Sequence, residues 1–123
     1  MDIRRYGVNW FGTLDLIVDV DLDIVTEDSL NVINNFWSDS SWRLNDANGN
    51  LLFAVLKMLA QQCFQMVTAH GFNANGLIHQ FDWDGGNGME GWPPMDGSYG
   101  FKIISCDELE FDMGDITVSE VQE

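Results

Sequence analysis

Positive charge is what this chain lacks. Five Lys and Arg residues stand against 20 Asp and Glu in 123 residues, a formal net charge of −15 at neutral pH. A field of that sign opposes direct binding to DNA, RNA or an anionic membrane, and favours basic partners, including grooves that ordinarily hold nucleic acid. Cysteine is scarce too. Cys63 and Cys106 lie far apart and in no metal or redox spacing, as expected of reduced thiols in a cytosolic protein. Long apolar runs are missing: Leu51 to Ala60 is interrupted by Lys57 and followed by Gln61, Gln62 and Gln65, too short a stretch for a membrane span. The opening Met-Asp-Ile-Arg-Arg-Tyr has no apolar signal core. The expectation is a soluble, cytoplasmic protein that touches neither nucleic acid nor membrane directly.

Chemistry-bearing motifs are also few. No glycine loop has phosphate-binding spacing and no serine sits in a nucleophile elbow. His70 and His79 are nine residues apart, and Cys63 falls within an apolar helix, so a Cys–His nucleophile pair is only formal. Asp46-Ala-Asn48-Gly-Asn50 and Asp82-Trp-Asp84-Gly-Gly start like calcium loops. The sixth and twelfth positions fall on Leu51 and Lys57 in one and on Asn87 and Pro93 in the other, where such a loop needs Gly and Glu. Turn formation explains both segments. The reading is therefore no enzyme, no catalytic residue, no cofactor and no metal.

What is present suffices for a core. Apolar residues make up 46% of the chain, with five Trp and eight Phe, enough for one folded domain over 1–123. Ile3 to Trp10 and Thr13 to Ile24 read as a β-hairpin, with Gly12 near the turn and Gly7 marking a bulge or a close backbone approach. Thr26 is a helix N-cap for an amphipathic helix through about Trp37, and Glu27 and Asp28 favour its dipole. Ser38 to Asn50 is polar and turn-rich. Leu51 to Ala69 is an apolar central helix ending at Gly71, and Asn73 caps a short helix over Ala74 to Phe81. Asp82 to Gly100 is a long glycine- and aromatic-rich loop. Phe101 to Met113 and Ile116 to Val121 close the chain as a second hairpin around Gly114-Asp115. That predicts an α+β fold: hairpin, about three helices, hairpin, giving a mostly antiparallel four-stranded sheet with helices on one face.

Three runs, Ile33-Asn-Asn-Phe-Trp37, Leu56-Lys-Met-Leu-Ala60 and Glu90-Gly-Trp-Pro-Pro-Met-Asp-Gly-Ser98, resemble an uncharacterised family of short phage and prophage proteins, a domain of unknown function. The resemblance covers most of the chain and implies a mobile-element origin and a bacterial cytoplasm. It implies no catalytic residues.

The acids carry the functional signal. Six fall within Asp15–Asp28 and seven within Asp107–Glu123, and neither segment holds a Lys or Arg. Asp15, Asp19, Asp21 and Asp23 share one strand parity, opposite Leu14, Leu16, Val18 and Val20. Glu108, Glu110 and Asp112 alternate likewise with Leu109 and Phe111. Residues two apart on a strand are separated by roughly 6.5–7 Å, on the scale of the ~3.4 Å axial rise per backbone phosphate. The pattern predicts a sheet face that imitates DNA and occupies the basic groove of a host nucleic-acid-binding protein, such as a CRISPR effector or restriction enzyme. An ordinary solvated face that blocks edge pairing is the plainer reading. The alternative function is structural: self-association, including a homodimer, through the apolar helix and Trp92 and Met95 of the aromatic loop. That loop could equally be a lid over the core.

Overall fold

The computed structural model describes residues 2–109 and 111–122. Strands β1 (Ile3–Trp10), β2 (Leu14–Asp21) and β3 (Phe101–Cys106) form an antiparallel sheet in the order β1-β2-β3. Helices α1 (Glu27–Phe36), α2 (Ser40–Asp46), α3 (Leu51–His70) and α4 (Ala74–Gln80) complete the α+β architecture.

The alternation along β2 determines which face is inside. Leu14, Leu16, Val18 and Val20 are buried, while Asp15, Ile17, Asp19 and Asp21 are half-buried on the outer side. Cross-strand partners Phe101 and Ile103 of β3, and Tyr6 and Val8 of β1, join them in the core. Gly7 lies opposite Ile17, whose side chain leans over it 3.5 Å from where a Cβ would stand. That is ordinary contact with a side chain, and β1 pairs with β2 through Gly7 in unbroken register, without the bulge or close backbone approach expected there.

Helix α3 rests on this sheet. Asn50 accepts the Phe53 N–H at its start, and Gly71 closes it at φ 70°, a conformation glycine adopts without penalty. Val55, Leu56, Leu59, Ala60, Cys63 and Val67 are buried against sheet and helices. By length and composition alone α3 could cross a membrane; here it is the core helix. Its other large apolar residues Leu51, Leu52, Met58 and Phe64 are half-buried, and Phe53 is exposed.

Helix α1 opens with a reciprocal cap: Thr26 Oγ1 accepts the Ser29 N–H at 3.2 Å and Ser29 Oγ accepts the Thr26 N–H at 2.9 Å. Helix α2 falls in the stretch expected to be turns. It starts at Asp39 in the left-handed region (φ 68°) with no side-chain cap, and Arg43 anchors it. The Arg43 guanidinium donates to Asn34 Oδ1 (2.9 Å) and to the carbonyls of Asn34, Trp37 and Ser38. It therefore satisfies the carbonyl end of α1 from outside that helix, and it partners the buried Asn34.

The expected fourth strand is absent from the described residues, and β3 stops at Cys106. The cause is local. Asp107 donates its N–H to the Asp15 carbonyl, and its Oδ2 accepts the Asp15 N–H at 3.0 Å. A side chain thereby takes the place of the next ladder carbonyl, and the ladder ends. Beyond it Ile116 to Val121 has no strand neighbour among the described residues, and a strand needs one to satisfy its backbone.

The long loop 82–100 is a lid. Trp92 is 4% exposed and Met95 0%, so both belong to the core and not to a docking patch. Phe81 meets Trp92 edge-to-face at 6.3 Å, and Trp83 Nε1 donates to the Trp92 carbonyl at 3.0 Å. The loop also covers the outer edge of β3: Met95 O accepts the Ile103 N–H, and Phe101 O accepts the Gly97 N–H. The outer edge of β1 has no strand partner among the described residues.

Candidate acidic surface

The outer face of the sheet places Asp15, Asp19 and Asp21 in one line along β2, as their parity requires. It does not leave them a bare row of negative charge. Register sets Arg5 opposite Asp19 on one side and Lys102 opposite it on the other. Arg5 grips Asp19 with both ends of its fork, Nε to Oδ1 at 2.7 Å and Nη2 to Oδ2 at 3.1 Å. The hydrogen bond from Arg5 holds the Asp19 carboxyl below its ordinary range. Partial desolvation opposes this, and the charges of Arg5 and Lys102 add to it. The centre of the face is therefore neutralised.

Two acidic ends remain. At one, Asp15 accepts from Asn9 Nδ2 at 2.9 Å and is tied to Asp107, with exposed Glu108 following on beside the end of α3 near Gly71. At the other, Asp21 closes the turn out of β2. Its Oδ1 accepts the Asp23 N–H at 3.0 Å and its carbonyl accepts the Ile24 and Val25 N–H groups. That turn takes Asp23 off the strand and exposes Ile24, while Val25 takes the buried place. Glu27 and Asp28 follow in the first turn of α1. The two ends are about 20 Å apart, six strand residues.

Of the second expected row, Glu108 and Asp112 are exposed but not on a strand. Glu110 lies outside the described residues. Asp112 instead accepts the Gly114 N–H and starts a 3₁₀ turn, Met113–Asp115. The structure thus joins Asp15 to the start of the C-terminal segment and keeps it apart from Asp21 and Asp23. Asp107, which no pattern singled out, is the joint.

The remaining cations are committed locally. Arg4 pairs with Asp2 at 3.3 Å, Lys57 pairs with Asp46, and Arg43 is spent on Asn34 and backbone carbonyls. The supposed calcium-loop acids have structural partners: Asp46 holds Lys57, and Asp82 Oδ1 accepts the Gly85 N–H. Burial pushes the Cys63 thiol far up. It also raises Cys106, to about 11, with the Asp107 charge adding to the shift. Neither thiol is a ready nucleophile near neutral pH. His70 is exposed and stacks against Phe72 at 5.3 Å.

Comparison with known proteins places the chain. Protein ea10 of Escherichia phage lambda and a lambda prophage-derived protein ea10 of Escherichia coli O6:H1 (strain CFT073) are each 44% identical to it over 118 residues. The match covers 95% of this chain and 96% of each relative. No solved structure matches it. A family model matches residues 15–118, from the first acid of β2 into the C-terminal segment, and the chain belongs to that family, described as a protein of unknown function (DUF2528).

Proposed function

We propose that this phage-family protein is a non-catalytic accessory factor of the bacterial cytoplasm. It binds a basic surface on a host nucleic-acid-handling protein and occludes it. One observation carries this reading: four of the five cations are held in hydrogen bonds or ion pairs within the chain and the fifth, Lys102, stands opposite Asp19, while a net charge of −15 remains. No basic patch is left to recruit nucleic acid, and the field at a distance is negative.

The contact surface is the pair of acidic ends, Asp15 with Asp107 and Glu108, and Asp21 with Asp23, in place of a continuous row. A groove that holds phosphates presents Lys and Arg at spacings these carboxylates can meet, and its anions would be released on binding. The targets that fit are defence enzymes with basic DNA channels, namely CRISPR effectors and restriction enzymes.

Two charge variants test the surface. Asp15→Asn with Glu108→Gln, and separately Asp21→Asn with Asp23→Asn, are compared for capture of host proteins. At least a tenfold loss of binding is expected from one pair or both, with thermal unfolding within a few degrees of the parent. Undiminished binding by both folded variants contradicts the assignment.

A further inference from the structure

Helix α3 covers the inner face of the sheet unevenly. The inward residues of β2 are buried, but on β1 Tyr6 and Val8 are only half-buried and Trp10 is 46% exposed. The other helices lie elsewhere: α1 and α2 pack on α3, and α4 packs on β3 and α3. An apolar groove of about 650 Å³ is left between β1 and α3. Val8, Trp10 and Leu14 form its sheet wall, Ala60 and Phe64 its helix wall, and Leu109 stands at its margin.

The groove has the dimensions of one more helix. Its helix wall runs from Lys57 to Ala69, about 18 Å at the rise of an α-helix. The inward half of a helix of that length and about 10 Å across takes up roughly 700 Å³, close to the volume present. A second observation lies beside it. Phe11 stands at the tip of the β1–β2 hairpin, 87% exposed, its ring 5.2 Å from that of Trp10. The Thr13 N–H donates to the Trp10 carbonyl across this turn at 2.8 Å, and both central residues have positive φ, 48° at Phe11 and 68° at Gly12. Asn-Gly or Asp-Gly suits that geometry; a bulky aromatic at the first position is strained by it. A strained aromatic held out in solvent beside an apolar groove costs the free chain stability, and a partner that covers the ring gives it a use.

We infer that the groove receives an amphipathic helix of the partner whose polar face is basic. Apolar side chains of that helix, three and four residues apart, pack between Trp10 and Phe64, and Phe11 covers its end. Charge selects the polar face. The groove lining contains no acid, and its one cation, Lys57, is taken by Asp46. Carboxylates stand at both ends instead: Asp46 at one, and at the other Asp15 and Glu108, the chain neighbours of Leu14 and Leu109, with Glu108 near Gly71 at the end of α3. Lys and Arg on the flanks of the helix would meet them within the field of a chain carrying −15. The basic character of the helix rests on the function proposed above; its helical form rests on the groove and on Phe11.

Titration of the full chain with synthetic peptides, read by calorimetry and circular dichroism, tests this. The probes are a Leu/Lys peptide of about 14 residues with Leu at helical spacing, long enough to span the groove, the same residues in an order without an apolar face, and a Leu/Glu counterpart of the first. The amphipathic Leu/Lys peptide is expected to bind about tenfold more tightly than the other two and to become helical as it binds. Phe11→Asn suits the turn, so it should raise the thermal midpoint and yet weaken this peptide about threefold or more. Phe64→Gln should weaken it further. Equal binding of the two Leu/Lys orders, lost in Asp15→Asn with Glu108→Gln, overturns the groove as the site while leaving the acidic surface as proposed. Equal binding of the Leu/Glu peptide overturns the basic character of the partner in both. No peptide binding, or binding unchanged by Phe11→Asn and by Phe64→Gln, overturns the inference, and so does a chain that dimerises and thereby hides the groove from the peptide.

Discussion

Asp19 shows how a single residue changes the meaning of a charge pattern. By sequence it is one of four aspartates on one parity, with no Lys or Arg nearby. In the fold Arg5, 14 residues away, chelates it, and Lys102 flanks it. The parity was legible because strand periodicity is local; the neutralisation was not, because register sets it. The pH consequence has a definite sign. A carboxyl held below its ordinary value contributes stability that is present above the unfolded pKa and lost as pH falls through the folded one. Asp19→Asn should therefore lose stability relative to the parent from neutral pH down to about pH 4, by the small amount expected of an accessible pair. The gap should close at lower pH. Urea midpoints of both proteins measured from pH 7 to pH 3 check this, and a gap that widens in acid would contradict it.

At the scale of elements, those whose signals lie within their own residues were readable: β2 from alternation, α1 from Thr26, and α3 from its apolar run and Gly71. Two were misread, for non-local reasons. Helix α2 begins on a left-handed Asp39 without a side-chain cap and depends on Arg43 reaching across to α1. The fourth strand was to pair with a third strand running on to Met113, but Asp107 ends the ladder and leaves it no neighbour among the described residues. The lid loop was legible only as a choice between lid and docking patch, which burial of Trp92 and Met95 decides. The Arg43 anchor is testable. Arg43→Met keeps the stem but strands the buried Asn34 and the last carbonyls of α1. By the usual penalty for unpaired buried polar groups it should cost about 2 kcal/mol or more, read as a lower urea midpoint at unchanged slope. A loss below about 0.5 kcal/mol would mean that water replaces the guanidinium.

For the whole molecule, the dominant quantity is the charge imbalance and its distribution. The core of aliphatic and aromatic side chains from β2, β3, α3 and the lid supports a surface on which each cation already has a local role. What is left for a partner is negative, arranged at two ends of a sheet whose centre is neutral. Composition made the sign of the chain's own charge legible at once. The placement of the charge was not, since it depends on which strands are neighbours and where each one stops. The most direct measurement immobilises the full chain, passes bacterial lysate over it, and elutes with a salt gradient and, separately, with duplex DNA. The expected result is a nucleic-acid-binding protein or complex that is released at moderate salt and displaced by the DNA. No capture, or a partner retained through high salt and indifferent to DNA, would contradict occlusion of a basic groove.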